Sequence, residues 1–432
     1  MYIVSVLKRK RISQEQLFML SVLFVNGGNY LYNLILARLL GPEQFADAAV
    51  LITFLLVLSF LAMSFQLVTA KFSVVFENNL FISFISKVYK NAIIVGISLG
   101  TLIIIFSKQL QEIFNTASSS MFVVFGIGVP LYFLMSVNRG VFQGKKAFKL
   151  LSITYQTEML SRLLITLGLI CLFNIQSSLV IAIGILISFG FGLIPFKFEN
   201  LNFKTSYVIE ASHSKLVRNF FIITAFYEFT QIIINNSDIL LVKHYFESYE
   251  AGLYASLALI GRIVYFIAWM FVMLLLPTVV QLKKEGKPTA PILFKYVGYI
   301  ATIASVIILC CALFPETAIT LLFGKSYMAM APLLWKYALA TGLFAVSNIF
   351  AYYYLSLDRF IPVVFSGVFG MLQMGLVIFF HEGLEQVVHM QVIAMIFLLV
   401  FQIVYFVLDS KTQLTKVKCS AEQDWEWHNE FT

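Results

Sequence analysis

Five polar residues recur along one stretch of this chain at helical intervals: Thr224, Glu228, Gln231, Asn235 and Asp238 are spaced by 4, 3, 4 and 3. That spacing puts all five on one face of a helix. Two carboxylates inside an otherwise apolar run are costly to bury, roughly 2.5–3.5 kcal/mol each on insertion scales, and such groups face protein or a wet cavity. Glu228 and Asp238 are therefore candidate binding sites for a coupling proton or Na⁺. The alternative is a stripe of interhelical hydrogen bonds that holds helices together.

The other ionisable groups in apolar surroundings are fewer. Arg262 shares a helical face with Tyr254, Ala258, Tyr265 and Trp269, and no acid lies three or four residues to either side. A guanidinium fork binds phosphate oxygens and aromatic rings stack on sugar faces, so Arg262, Tyr265 and Trp269 suit an anionic headgroup carrying sugars. The competing role is a salt bridge across helices to Glu228 or Glu158. Glu158 and Arg162 are four apart, the spacing of an intrahelical ion pair. Lys336 is a further candidate cation for substrate, or a snorkelling side chain near its helix end. Asn26, Asn29 and Asn33 fall on one face beside Gly27 and Gly28; Asn29 and Asn33 suit sugar hydroxyls, and the face equally suits close helix packing. The cysteines Cys171, Cys310, Cys311 and Cys419 have neither metal nor disulfide spacing. There is no phosphate-binding G-x-x-x-x-G-K-[ST] loop, no cofactor motif and no metal-ligand cluster in the sequence.

The elements that hold these residues are membrane helices. The 432 residues are 60% hydrophobic and 12% charged with a mean hydropathy of +0.89, which excludes a soluble domain. Spans of about 20 apolar residues are predicted at 15–40, 44–70, 88–107, 121–139, 150–172, 177–195, 216–243, 251–282, 291–314, 331–356, 361–380 and 388–409. Of the 30 Lys and Arg residues, 23 fall in the amino terminus, in every second connection (71–90, 139–149, 197–218, 283–295, Arg359) and in the tail. Basic residues mark cytoplasmic loops, so both termini are expected in the cytoplasm and the first span is expected to be retained. The same alternation accounts for the net charge of +8 without nucleic acid.

Residues 196–215 form the longest polar break and divide the chain into an amino-terminal lobe (1–195), a cytoplasmic linker, a carboxy-terminal lobe (216–410) and a polar tail (411–432) that is expected to be flexible or interfacial. A shift of 205 residues sets Asn33 on Asp238 and Arg38 on Lys243, and after a one-residue gap the turn PEQFADAAVL falls beside YEAGLYASL. An even number of helices per half makes this a parallel repeat, with a cavity between the lobes as the expected site.

The segments ARLLGPEQFAD (37–47), RGVFQGKKAFK (139–149), NNSDILLVKHYFESYEAGLYA (235–255), GRIVYF (261–266) and PETAITLLFGKSYMAMAPLL (315–334) occur in order across most of 15–360. In these the chain resembles the oligosaccharide (O-antigen and exopolysaccharide) flippases of the multidrug/oligosaccharidyl-lipid/polysaccharide superfamily, relatives of the MATE transporters. It departs from them at Ala46, where such proteins usually carry glycine, and in its last two helices. The resemblance implies an all-α, two-lobed, V-shaped bundle of 12 helices. This would move a lipid-pyrophosphate-linked oligosaccharide across the bacterial cytoplasmic membrane by alternating access. It also implies that Arg262 receives the pyrophosphate, that H⁺ or Na⁺ drives transport, and that other polysaccharide assembly proteins are partners. The main rival is a cation-coupled multidrug exporter of the same architecture. A polymerase or acyltransferase would need a large outer loop or a carboxylate/His centre, and 71–90 lacks the signature of a major-facilitator loop.

Overall fold

The computed structural model describes residues 14–173, 177–196, 210–357 and 359–430, and within helices it leaves out some side chains, among them those of 265–270 and 411–430. The basic cluster Lys8–Arg11, most of the linker at 197–209, and the side chains of Tyr265, Trp269 and Cys419 therefore lie outside what is described here.

Every long apolar run forms a helix, because backbone polar groups in lipid must bond within their own segment. The helices are α1 (Gln14–Val75), α2 (Asn78–Ile105), α3 (Ser107–Ile113), α4 (Ser120–Gly144), α5 (Phe148–Phe173), α6 (Ser178–Leu193), α7 (Ala211–Tyr245), α8 (Ser248–Lys284), α9 (Ala290–Leu313), α10 (Pro315–Leu322), α11 (Leu334–Ser356), α12 (Ile361–Phe379) and α13 (Leu384–Glu430), with a 3-10 turn at Lys325–Leu333. Eight segments among the described residues are long and apolar enough to cross a membrane. Large apolar side chains stay on the outside, among them Ile105, Leu164, Leu172, Leu321 and Phe379, as lipid-facing surfaces require.

Several helix boundaries follow from local chemistry. Pro291, Pro315 and Pro362 each occupy the first turn of a helix, where an amide donor is not needed. The Ser177 hydroxyl caps α6 by accepting from the Leu179 amide at 3.2 Å. The 62 residues of α1 are two helices meeting at Gly41–Pro42; Gly41 adopts φ 74° and ψ 172°, open to glycine alone. The predicted boundary between spans at 40 and 44 thus falls on this kink. The connections at 108–120 and 315–330 are not plain loops, since each contains a short helix (α3, α10). The last helix also runs on to Glu430 through the segment expected as a flexible or interfacial tail.

The chain groups into two compact units. The first comprises residues 1–232 and 246–255, and the second 233–245 and 256–432, so α7 and α8 contribute to both. In the first unit Phe54 meets Phe114, Phe122 and Phe125 edge-on. In the second, Ile234, Phe344, Phe369, Met395 and Leu398 form a buried cluster.

Candidate functional site

Within the first unit, α4 and α5 bring three charges together. Glu158 accepts from Arg139 at 2.7 Å through one carboxylate oxygen and faces Arg162 at 3.5 Å through the other. All three are buried. Arg139 also donates to the hydroxyl and carbonyl of Thr154 at 3.2 and 2.9 Å, and its guanidinium lies 3.9 Å from the Tyr155 ring centre. Arg162 donates to the Asn29 side-chain oxygen at 2.7 Å, while the Asn33 amide donates to the Asn29 carbonyl at 2.8 Å. The predicted Glu158–Arg162 pair is present, and it is half of a larger cluster. Arg139 belongs to that cluster, though in sequence it counted among the loop cations at the end of a span. Asn29 and Asn33 of α1 are drawn into the same network, and Gly28 beside them meets the Met159 side chain. Two guanidiniums against one carboxylate leave a buried surplus of positive charge.

Within the second unit, Asn235 and Asp238 of α7, Gly261 and Arg262 of α8, Tyr337 and Thr341 of α11, Gln373 of α12 and Gln391 of α13 line a cavity of about 40 Å³, together with apolar side chains such as Phe344 and Met395. Asp238 accepts from the Tyr337 hydroxyl at 3.1 Å and from the Gln391 amide at 2.7 Å, both on one oxygen. Arg262 donates to the Asn236 side-chain oxygen at 3.3 Å, and Asp238 and Tyr337 are its electrostatic neighbours. The acid set against Arg262 is therefore Asp238, and neither Glu228 nor Glu158. A volume of this size holds a few waters or one small ion. It has no room for a sugar in this conformation.

The remaining candidates are placed apart from these two clusters. Glu228 is half-buried in the part of α7 that belongs to the first unit and makes no hydrogen bond or ion pair among the described residues. Thr224 returns its hydroxyl to the Phe220 carbonyl of its own helix. Lys336 is outside the cavity-lining set; it reaches Glu385 at 2.5 Å and the His389 ring at 3.3 Å. Tyr265 and Trp269, predicted to flank Arg262, lie outside the described side chains. Sequence reasoning missed Tyr337, Gln373 and Gln391, uncharged residues on helices far from α7 in sequence. Their only signal was polarity inside an apolar run.

The comparisons with known proteins fit this architecture. An inward-facing multidrug resistance MATE family transporter of the MOP superfamily superposes with a TM-score of 0.75, at 10% identity, covering 88% of this chain and 95% of that one. Lipid II flippase MurJ in an inward closed conformation gives 0.69 at 15% identity, covering 90% and 87%. No curated protein matches the sequence closely enough to count as a relative. At these identities the neighbours establish the fold, which is MATE-like and all-helical. The profile of the polysaccharide biosynthesis protein family matches residues 35–332, a stretch that includes every charged residue of both buried clusters, and the chain is a member of that family.

Proposed function

We propose that this protein is a flippase that carries a lipid-pyrophosphate-linked oligosaccharide across the bacterial cytoplasmic membrane for polysaccharide assembly, by alternating access between two six-helix lobes. Family membership over 35–332 is the observation that carries this reading. The likeness to a lipid II flippase and the buried surplus of guanidinium groups support it, since a pyrophosphate crossing the bilayer needs cations on its path. Twelve spans follow if α1 is taken as two helices at Gly41 and the short α3 and α10 are set aside. Both termini are assigned to the cytoplasm on the distribution of Lys and Arg. The protein acts as a transporter and carries out no covalent step.

Under this reading Asp238 takes the coupling ion, H⁺ or Na⁺, and Arg262 takes the pyrophosphate once substrate entry opens the cavity. Glu228 is a second coupling candidate. Asn29 and Asn33 are committed to the Arg162 network in this conformation and would bind sugar only after it rearranges, and Lys336 would first have to leave Glu385. A second reading, a cation-coupled multidrug exporter, is favoured by the higher TM-score of the MATE transporter. Loss of the protein separates the two. A flippase null loses surface polysaccharide and accumulates lipid-linked oligosaccharide in the inner leaflet, whereas an exporter null gains drug sensitivity with its polysaccharide intact. Arg262→Ala should abolish polymer export while leaving the protein at wild-type level in the membrane. Export at the wild-type rate would remove Arg262 from the substrate path.

A further inference from the structure

The first unit contains a second cavity, much larger than the Asp238 cavity and used by nothing above. It measures about 810 Å³ and lies between the second half of α1, α2 and the start of α7. Its walls divide by chemistry. Lys87, Lys215 and Arg218 form one rim, and none of the described lining residues is acidic. These three cations make no ion pair among the described residues; Lys87 has only the Ser214 hydroxyl at 3.4 Å. The inner end is apolar and closed by Phe65 and Phe221, whose ring centres are 4.9 Å apart. Val95, also on the wall, is eight residues beyond Lys87 on α2, about 12 Å deeper at 1.5 Å per residue.

The three cations sit at the ends of predicted spans (88–107 and 216–243), in connections rich in Lys and Arg. A row of cations with no acidic partner among the described residues, above an apolar slot, matches one amphiphile: a phosphate at the surface with hydrocarbon below it. We infer that this cavity binds an anionic glycerophospholipid of the surrounding membrane, its phosphate on Lys87, Lys215 and Arg218 and an acyl chain against Phe65, Val95 and Phe221. A lipid-linked sugar fits it poorly, because among the described lining residues Asn91 and Ser214 are the only uncharged polar side chains. The site is thus a regulatory or stabilising lipid site, distinct from the Asp238 cavity.

Native mass spectrometry of the full chain in mild detergent tests this. At equal added concentrations of phosphatidylglycerol and phosphatidylcholine, the protein should retain one phosphatidylglycerol under conditions that strip phosphatidylcholine. The K87Q/K215Q/R218Q variant should bind phosphatidylglycerol about 100-fold more weakly, as expected for three cations near an anionic headgroup. Lys71→Gln with Lys90→Gln, cations of the same region that do not line the cavity, should leave binding unchanged and serve as the control for general charge. Val95→Trp, which fills the slot and keeps every cation, should also displace the lipid. Glycerol phosphate, which has the headgroup chemistry without chains, should fail to compete at millimolar concentration. Equal retention of phosphatidylcholine, full retention by the triple variant or by Val95→Trp, or competition by glycerol phosphate would each overturn the proposal. The readout involves no transport, so it stands or falls independently of the flippase reading.

Discussion

Glu158 gives one oxygen to Arg139 and the other to Arg162, so the first unit has a carboxylate whose loss would leave two buried guanidiniums without a counter-charge. Removing one partner of a buried ion pair costs about 3–5 kcal/mol, because the remaining charge stays desolvated. Glu158→Gln should therefore destabilise the solubilised protein by about that amount, read as a lowered thermal midpoint. R139Q/E158Q should recover part of it, since only Arg162 then remains to be neutralised. Asp238 bears on coupling. Its hydrogen bonds from Tyr337 and Gln391 can be accepted equally by an asparagine oxygen, so Asp238→Asn keeps the packing and removes the charge. Transport by the wild type should collapse with the ion gradient and transport by Asp238→Asn should not respond to it; an unchanged gradient dependence in the variant excludes Asp238. At this scale the sequence was legible where partners share a helix. The Glu158–Arg162 pair follows from spacing alone, as does the shared face that brings Asn235 and Asp238 to one cavity. Arg139 and Gln391 were illegible because their partners lie 19 and 153 positions away, and no periodicity encodes a contact between helices.

At the level of elements, the kink in α1 and the start of α8 meet in a close backbone contact. Gly41 opens α1 with a positive φ, and Gly252 in the first turn of α8 rests directly on the carbonyl of Pro42. A β-carbon at 252 would collide with that backbone oxygen, and peptide backbone in a packed bundle does not yield as a side-chain tip would. Gly252→Ala should cost about 1–3 kcal/mol through overpacking. Ala46→Gly, which restores the residue usual in the resembled family, should cost about 1 kcal/mol or less. Thermal unfolding of the two variants side by side checks the asymmetry. The long helices were readable from apolar length, and the Gly-Pro pair marked the kink within three residues. The short helices α3 and α10 were hidden inside segments too polar to span and too brief to show a period, though Pro315 followed by Glu316 is a helix-start pattern.

For the whole molecule, the decisive quantity is the orientation of the bundle in the membrane, because a flippase must open its cation-bearing path first to the side where its substrate is made. The expected sidedness rests on electrostatics: translocating Lys and Arg is disfavoured, so loops rich in them are expected on the cytoplasmic side. Ser119, at the start of α4, and Ser212, in the first turn of α7, lie in connections of opposite character. The first connection (108–120) contains Lys108 alone, and the second (197–218) contains Lys197, Lys204, Lys215 and Arg218. In a background with the native cysteines replaced, Cys171 and Cys310 above all because both are exposed, an impermeant maleimide should label Ser119→Cys in intact cells. It should reach Ser212→Cys only after the membrane is opened. The opposite pattern would put both termini outside, invert the direction of transport, and place Lys87, Lys215 and Arg218 against the outer leaflet. Because each crossing reverses the direction of the chain, this one pair of labels also tests the parity of the spans between them: opposite labelling of Ser119 and Ser212 requires an odd number of crossings among α4, α5 and α6, as three full spans give and two do not.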